Sequence, residues 1–467
     1  MLSLKHSKNP TLIIACVAVI SGLLFGYDTG IISGAQSFIF KHFEIATDAT
    51  TALIRGFVVA SVPVGALIGA ILSGWSSAQL GRKKSIILTS LLFICGALIT
   101  ALAAAIEFII LGRLIMGCGI GLSAMIAPMY LSEIAPPKVR GALIFMFQLA
   151  ITIGLMVAFL TNFLCALWVP DPNINWRWMF ALGSVPALIL FFGMLAMPDS
   201  PRWLIMRNQI EQATSTLKLL YCKNDVGLEV SEIQQSVQRS NGSWKEVMRA
   251  PVATLLILAV ALFAFQQLSG INAIMYYGPI IFGKAGFGEH AQFLAQVAMG
   301  TVNMLMSIVG LWIVDRAGRR PILLGGFIGM FVFLLAVGVL LKSEALTPII
   351  SYMSFVSILA YIGCFAVSLG GVPYIMMSEV FPLKSRATGM AIASCANWGF
   401  NILVTQSFTF FESDLGIGNT FLLYAGCTAV GLVLAWRFVP ETKSRPLEEI
   451  EANLYDGKPL RRLGDHR

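Results

Sequence analysis

The stretch SEIAPPKVRG at residues 132–141 recurs as SEVFPLKSRATG at residues 378–389. Two other motifs recur in the same way: GRKK at 81–84 matches GRR at 318–320, and PDSPR at 198–202 matches PETKSR at 440–445. Every offset is close to about 240 residues, roughly half of the 467-residue chain. The repetition predicts two homologous halves in the same orientation, joined by a middle segment, with a binding site where the halves meet.

The composition is that of a membrane protein. The chain is 57% hydrophobic and 12% charged, whereas a soluble domain carries about 25% charged residues. Apolar runs long enough to cross a hydrocarbon core of about 30 Å recur throughout, without the alternating segments of a β-barrel. We therefore predict an all-α polytopic protein with twelve spans in two six-helix bundles. The predicted spans are 11–37, 53–76, 85–106, 109–131, 141–166, 177–197, 252–282, 291–314, 321–341, 348–377, 387–411 and 419–439.

Four segments follow from this pattern. The first bundle is predicted at 1–197 and the second at 252–439, with a cytoplasmic linker of short amphipathic helices at 198–251 between them and a cytoplasmic tail at 440–467. The apolar run that begins near Pro10 is too long for a signal peptide and has no small-residue cleavage site at its end, so we interpret it as a retained first helix.

The distribution of Lys and Arg predicts the orientation. Of 32 such residues, 26 fall in the termini, the linker and alternate loops, five fall in the opposite loops, and Arg113 lies within a span. The positive-inside rule puts the 26 in the cytoplasm together with both termini. The formal charge of +8 is thereby explained by topology, and no nucleic-acid partner is expected.

Two charged residues lie clearly inside predicted spans, Asp28 in the first and Arg113 in the fourth. A buried charge there costs roughly 2.5–3.5 kcal/mol on insertion scales and usually marks a transport pathway or a proton relay. Both residues fall in the predicted outer half, at depths that allow them to pair. The alternative is a permanent ion pair that only stabilises helix packing.

The spans also contain amides and aromatic rings. Amides offer hydrogen-bond donors and acceptors together, which suits sugar hydroxyls, and aromatic faces suit the C–H faces of a sugar ring. Hydrogen bonding between helices is the alternative role, Asn303 included. The candidate sugar-binding residues are Phe25, Gln148, Gln266, Gln267, Asn272, Tyr276, Asn303, Tyr374, Asn397, Trp398 and Asn401; Gly270 in QQLSGIN is expected to loosen its helix.

The repeated loops place cations and carboxylates near the predicted cytoplasmic face. We expect Arg82 and Arg319 to bridge to Glu133 and Glu379, and such pairs would bias a rocking motion as they break and re-form; plain topological anchoring is the alternative. Glycines such as Gly117 lie within spans and indicate close helix packing rather than a nucleotide loop. The chain has no CxxC pair, no metal-binding pattern and no nucleophile–base constellation, so neither an enzyme nor a cofactor is expected.

The chain resembles the sugar porter branch of the major facilitator superfamily over nearly its whole length. Its galactose, arabinose and xylose–proton symporters from bacteria are the most similar members. The motifs that carry the resemblance are GYDTGIISG, GRLIMG, YLSEIAPPKVRG, FQLAITIG, PDSPRWL, QQLSGINAIMYY, VDRAGRRP, SEVFP and PETK.

The resemblance implies roles for particular residues. Asp28 matches the proton-coupling aspartate, which pairs with the arginine matched by Arg113, whereas passive facilitators of the family typically have asparagine there. This chain departs from the family at four positions. Tyr374 and Gly371 stand where a tryptophan and a proline are usual, and Ala78 stands where an aspartate is frequent. Ser444 makes the motif PETKS where the family has PETKG. The implied cytoplasmic gating residues are Arg82, Glu133, Arg140, Asp199, Arg202, Arg319, Glu379, Arg386 and Glu441.

The predicted function is import of a monosaccharide, a hexose or a pentose, by proton symport through alternating access. The expected partners are the sugar, H⁺ and the lipid bilayer, the expected location is the bacterial inner membrane, and a monomer is expected. The alternatives are a passive sugar uniporter, a proton-coupled exporter of another solute, and a non-transporting sugar receptor. The short predicted tail argues against the receptor, and a membrane-embedded enzyme is the weakest alternative.

Overall fold

The structure is a computed structural model. It describes residues 9–46, 51–136, 139–169, 171–223, 225–239, 247–343, 347–382, 384–443, 445 and 447–465. The predicted basic stretch at 5–8, residues 240–246 of the predicted linker and the last two residues of the tail lie outside this set.

The described chain is helical, with nineteen α-helices and a 3₁₀ turn at Leu460–Arg462. The helices are α1 (Pro10–Ala18), α2 (Ile20–His42), α3 (Ala52–Gln79), α4 (Gly81–Ala101), α5 (Ile106–Ile134), α6 (Arg140–Trp168), α7 (Asn175–Ala196), α8 (Pro201–Met206), α9 (Ile210–Tyr221), α10 (Gly227–Arg239), α11 (Val252–Leu268), α12 (Ile271–Lys284), α13 (Glu289–Ala317), α14 (Arg319–Leu340), α15 (Pro348–Val367), α16 (Val372–Val380), α17 (Arg386–Asp414), α18 (Ile417–Phe438) and α19 (Leu447–Tyr455).

The predicted spans coincide with these helices. Among the described residues, eleven helical segments have the length and hydropathy to cross a membrane. The predicted eleventh span, 387–411, is the 29-residue helix α17, which is long enough but is less apolar because it carries polar residues such as Asn397 and Asn401. The helical fold with twelve predicted spans therefore stands.

Three predicted spans are each divided into two helices. The first is divided near Val19, between α1 and α2, and the tenth between α15 and α16. The seventh is divided at Gly270, which has φ +83°. This left-handed backbone favours glycine, and a Cβ there would also overlap the ring of Tyr424. The break lies beside the amide-rich stretch that it was expected to loosen.

The chain forms two compact units that do not follow the sequence halves. The first contains Met1–Ile31, Ser61–Ala158 and Trp176–Asn241. The second contains Ile32–Ala60, Phe159–Asn175 and Gly242–Arg467. Helices α2, α3 and α6 each contribute to both units. The predicted segment boundaries at 197, 251 and 439 stay predictions.

In the first unit, small residues let helix backbones approach closely. A Cβ on Gly117 of α5 would overlap the carbonyl oxygen of Val62, and one on Gly65 of α3 would overlap that of Leu114. Helix packing, as predicted, explains these glycines. The short helices α8–α10 also belong to this unit, and Leu204, Ile205 and Ala213 form a small apolar core there.

In the second unit, α14 packs most extensively against α18 and α15, and α11 packs against α17. These contacts bring the first half of the broken seventh span against the helix that carries Asn397. The residues of the predicted amide cluster that lie in this unit are therefore held by tertiary packing of helices more than 100 residues apart in sequence.

Candidate functional site: a buried ion pair and an amide cluster

Asp28 and Arg113 meet inside the first unit. Asp28 Oδ1 lies 3.5 Å from Arg113 Nη1, and the two side chains are 1% and 0% exposed. Neither carboxylate oxygen of Asp28 accepts a hydrogen bond from a described residue. The pair is thus held by electrostatic attraction without a hydrogen bond, in surroundings where that attraction is poorly screened.

Local packing positions this pair. Gly26 and Gly30 flank Asp28 and let α2 lie directly against Ile151 and Ala158 of α6. The hydroxyl of Tyr27 donates to the carbonyl of Met179 on α7 at 2.9 Å. The guanidinium of Arg113 lies 5.8 Å from the centre of the ring of Phe180, the residue after Met179 on α7. Helix α2 therefore packs against α6 and α7 beside Asp28, and α5 supplies Arg113.

Nine of the eleven predicted sugar-binding residues belong to the second unit, and four of them form a hydrogen-bonded chain. Asn272 Nδ2 donates to Gln267 Oε1 at 2.5 Å, Gln267 Nε2 donates to Asn397 Oδ1 at 2.5 Å, and Asn397 Nδ2 donates to the Tyr374 hydroxyl at 2.9 Å. Tyr374 is 39% exposed and its ring packs edge-on against Phe263 at 4.7 Å. These polar groups are satisfied by one another and can exchange partners with a hydroxylated ligand.

The other predicted residues of this unit have different surroundings. Gln266 Nε2 donates to the carbonyl of Leu369, in the break between α15 and α16, at 2.5 Å, and its Oε1 is buried with no partner among the described residues. Asn401 accepts from Thr405 at 3.0 Å. Asn303, Trp398 and Tyr276 are buried. Phe25 and Gln148 are half-buried residues of the first unit.

Each unit contains one of the two predicted charge networks. In the first, Arg82 holds both oxygens of Glu133 at 2.8 and 2.9 Å, and Ser200 donates to the same carboxylate. Asp199 accepts from the backbone N–H groups of Arg82, Lys83 and Ser200 at 2.8–3.3 Å. Burial raises the pKa of Asp199 above its ordinary value, although these N–H groups and Arg82 favour the ionised form.

The second unit repeats this arrangement with homologous residues. Arg319 Nη2 donates to Glu379 Oε1 at 2.8 Å, and Thr442 donates to the other oxygen of Glu379 at 2.5 Å. Glu441 accepts from the backbone N–H groups at the start of α14. The repeated motifs therefore encode the same local structure twice.

Three predicted gating residues take no part in these bonds. Arg386 donates to the carbonyl of Phe381 at 3.2 and 3.3 Å instead of pairing with Glu379. Arg140 is exposed at the start of α6 and Arg202 is half-buried on α8. No ion pair joins either of them to another described residue.

Three polar residues that the sequence analysis did not single out hold α2 in the second unit. Gln36 Nε2 donates to the carbonyl of Tyr276 at 2.6 Å, and Gln296 Nε2 donates to the hydroxyl of Ser33 at 2.6 Å. All three side chains are fully buried. Both amides interrupt apolar spans, which is the same signal that identified Gln266.

The family described as "Sugar (and other) transporter" matches residues 14–454. The chain belongs to this family. It is also 36% identical to a galactose–proton symporter of Escherichia coli, with 99% of this chain and 98% of the relative covered. A glucose transporter of Staphylococcus epidermidis is 36% identical, with 95% and 97% covered.

Solved structures agree with the sequence relatives. The xylose transporter of Escherichia coli, in a partially occluded inward-open conformation, superposes with a TM-score of 0.84 at 29% identity, over 93% of this chain and 99% of that one. The fold class and the resemblance to major facilitator sugar porters are thereby confirmed. The protein is a multi-pass membrane transporter, and its family comprises transporters rather than enzymes.

Proposed function

We propose that this transporter imports a monosaccharide by proton symport, and that Asp28 carries the proton. The proposal rests on one observation, the buried Asp28–Arg113 pair at 3.5 Å without a hydrogen bond. Protonation of Asp28 removes the negative charge that holds Arg113, and loss of the proton restores it. Relatives named as galactose–proton and arabinose–proton symporters support the proposal that protons drive sugar uptake.

The transport cycle couples this pair to helix movement. From outside, Asp28 takes up a proton and releases Arg113, sugar binds, and the protein opens inward. Release of the proton to the cytoplasm re-forms the pair and favours the return. One proton moving through 100 mV supplies about 2.3 kcal/mol, which supports a sugar gradient of about fifty-fold.

Helix α2 is suited to transmit this change. Asp28 lies in its first-unit part, and Ser33 lies five residues later in its second-unit part, about 7.5 Å along the helix axis. The hydrogen bond that Ser33 accepts from Gln296 of α13 and the one that Gln36 donates to Tyr276 of α12 hold the predicted outer end of α2. Movement of α2 after protonation would strain these bonds.

The sugar is proposed to bind at the chain Asn272–Gln267–Asn397–Tyr374, together with the other predicted contacts of the second unit. Sugar hydroxyls would replace these amide–amide bonds at little net cost, because each donor and acceptor gains an equivalent partner. The Tyr374 ring offers an apolar face. The charge networks around Glu133 and Glu379 would break on inward opening and so set the balance between conformations.

We also propose that both termini lie in the cytoplasm, because the cations are concentrated in alternate loops. A monomer in a bacterial inner membrane is part of the same proposal. The described residues hold no cluster of side chains suited to a metal ion, and the proposed coupling needs no cofactor besides the proton.

The test is Asp28→Asn in membrane vesicles, assayed with a panel of labelled hexoses and pentoses, with and without an uncoupler. We expect wild-type accumulation that the uncoupler abolishes, and a variant that exchanges sugar across the membrane but does not accumulate it. The matched control is Glu107→Gln, which neutralises an exposed carboxylate at the start of α5 and should accumulate sugar normally.

The outcomes separate the alternatives. Uphill uptake that persists in Asp28→Asn, or in wild type with uncoupler, would refute proton coupling through Asp28. Downhill uptake that is insensitive to uncoupler in wild type would indicate a passive uniporter. Sugar binding without any flux would indicate a receptor, and no binding of any sugar would favour an exporter of another solute.

A further inference from the structure

A basic cavity lies in the second unit where the C-terminal tail packs against α14 and α18. Its volume is about 490 Å³. None of its lining residues is a proposed sugar contact, and only Glu441 is among the implied gating residues. The lining residues are Arg320, Glu441, Lys443, Arg445, Arg461, Arg462, Gly464 and Asp465.

The lining is strongly cationic. Five side chains are basic and two are acidic, a formal excess of three positive charges. One of the two carboxylates is already engaged, since Glu441 accepts the backbone N–H groups of Arg319, Arg320, Thr442 and Lys443 at 2.9–3.1 Å. The nearby cations repel one another, and a bound anion would relieve that repulsion.

Packing of the tail builds this cavity. Asn453 Nδ2 donates to the carbonyls of Leu463 and Asp465 at 2.9 and 3.0 Å, and the Leu463 side chain is fully buried. Gly464 lies so close to the backbone of Glu441 that a Cβ would overlap its carbonyl oxygen. These contacts hold Arg461 and Arg462 at the cavity instead of leaving them on a loose tail.

Two of the basic side chains, Arg320 and Lys443, are oriented but keep unused donors. Arg320 Nη2 donates to the carbonyl of Trp436 at 2.8 Å, while its Nε finds no partner among the described residues. Lys443 uses one of its three ammonium protons on the carbonyl of Arg316. The guanidinium of Arg461 lies 5.7 Å from the centre of the Trp436 ring. The planar guanidinium group of arginine matches the oxygen geometry of phosphate.

We propose that this cavity binds a phosphate-bearing anion. The cavity is larger than a single phosphate ion, so there is room for the group that the phosphate is attached to. Two sources share this chemistry. The first source is a lipid headgroup, because Trp436 lies in the last turn of the predicted final span, at the depth where tryptophans meet lipid headgroups. Anionic lipids also attract basic clusters at the cytoplasmic surface. The second source is a soluble phosphate compound, which would reach the cavity from the cytoplasm.

The experiment measures binding by thermal unfolding of the purified full-length protein in detergent, at constant ionic strength. One arm titrates inorganic phosphate against chloride. The other adds phosphatidylglycerol to the micelles, with phosphatidylcholine as the uncharged comparison. A ligand that binds only the folded state raises the unfolding midpoint in a saturable way. Stabilisation by inorganic phosphate identifies a soluble source, and stabilisation by phosphatidylglycerol alone identifies a headgroup.

The variant Arg461→Gln/Arg462→Gln removes a charge-assisted hydrogen bond from each of two side chains. Each such bond contributes about 1.5 kcal/mol, so the apparent dissociation constant should rise about a hundredfold. Lys443→Gln should weaken binding in the same direction without touching the contact on Trp436. The control Lys218→Gln/Arg249→Gln removes the same charge from exposed positions near the other predicted cytoplasmic helices and should bind as wild type.

The proposal would be overturned if neither probe stabilised wild type, or if the tail variants responded like wild type. It is independent of sugar transport, since neither arm measures flux.

Discussion

The Asp28–Arg113 pair allows a quantitative prediction about the free energy of unfolding. Arg113→Met keeps the aliphatic stem but removes the guanidinium. The carboxylate of Asp28 would then be 1% exposed and without either a counter-charge or a hydrogen bond from any described residue. Removing one partner of a buried ion pair typically destabilises a protein by about 3–5 kcal/mol, and we expect Arg113→Met to fall in this range.

The double variant Asp28→Asn/Arg113→Met should recover most of this loss. With both charges gone, no uncompensated charge remains, and replacing a buried ion pair by neutral groups is often tolerated. We expect a coupling energy of at least about 2 kcal/mol between the two positions, at the upper end of values for interacting residues. The contact of Arg113 with the Phe180 ring is lost in the presence and absence of Asp28 alike, so the cycle cancels it.

The assay is denaturant-induced unfolding in mixed micelles of wild type, both single variants and the double variant. The control cycle uses Lys223–Glu229, which has nearly the same separation, 3.4 Å, but is exposed, with the lysine side chain 63% accessible. Its coupling should be about 0–1 kcal/mol. Equal coupling in the two cycles would refute the reasoning that burial makes the Asp28 charge depend on Arg113.

Two other predictions address the amide chain and the Asp199 network. Tyr374→Phe keeps the ring but removes the hydroxyl that accepts from Asn397 and that is proposed to bond a sugar hydroxyl instead. The loss of that sugar contact, about 1 kcal/mol, should raise the KM for the transported sugar about fivefold, while Tyr352→Phe, on the exposed part of α15, should leave KM unchanged. An unchanged KM in Tyr374→Phe would refute a sugar contact of this hydroxyl. Burial raises the pKa of Asp199 above its ordinary 3.8, so the folded state binds the carboxyl proton of Asp199 more tightly than the unfolded state does. The stability that this protonation contributes is lost as pH rises through the folded pKa. The unfolding midpoint of Asp199→Asn relative to wild type should therefore increase from pH 4 to pH 7, and parallel pH profiles would contradict the raised pKa.

Much of the transmembrane organisation follows from the sequence. Hydropathy reports whether a segment of chain can lie in lipid, which is a local property, and it identified all the long helices, with α17 as the most polar. The repeated motifs predicted the duplicated charge networks, because the same residue types recur in the two halves at nearly the same offset. The glycine at 270 predicted the break in the seventh span because only its backbone tolerates φ +83°.

Other features depend on contacts that sequence patterns do not encode. Burial in a span predicted that Asp28 and Arg113 could pair, but the 3.5 Å separation without a hydrogen bond depends on how α2, α5 and α7 converge. Arg386 matched the motif of a gating residue and yet donates to a backbone carbonyl. Hydropathy and motifs describe one segment at a time. Only the packing of distant segments therefore produces the hydrogen bonds of Gln36 and Gln296, the basic cavity around Arg320 and Arg461, and the assignment of α2 to two units.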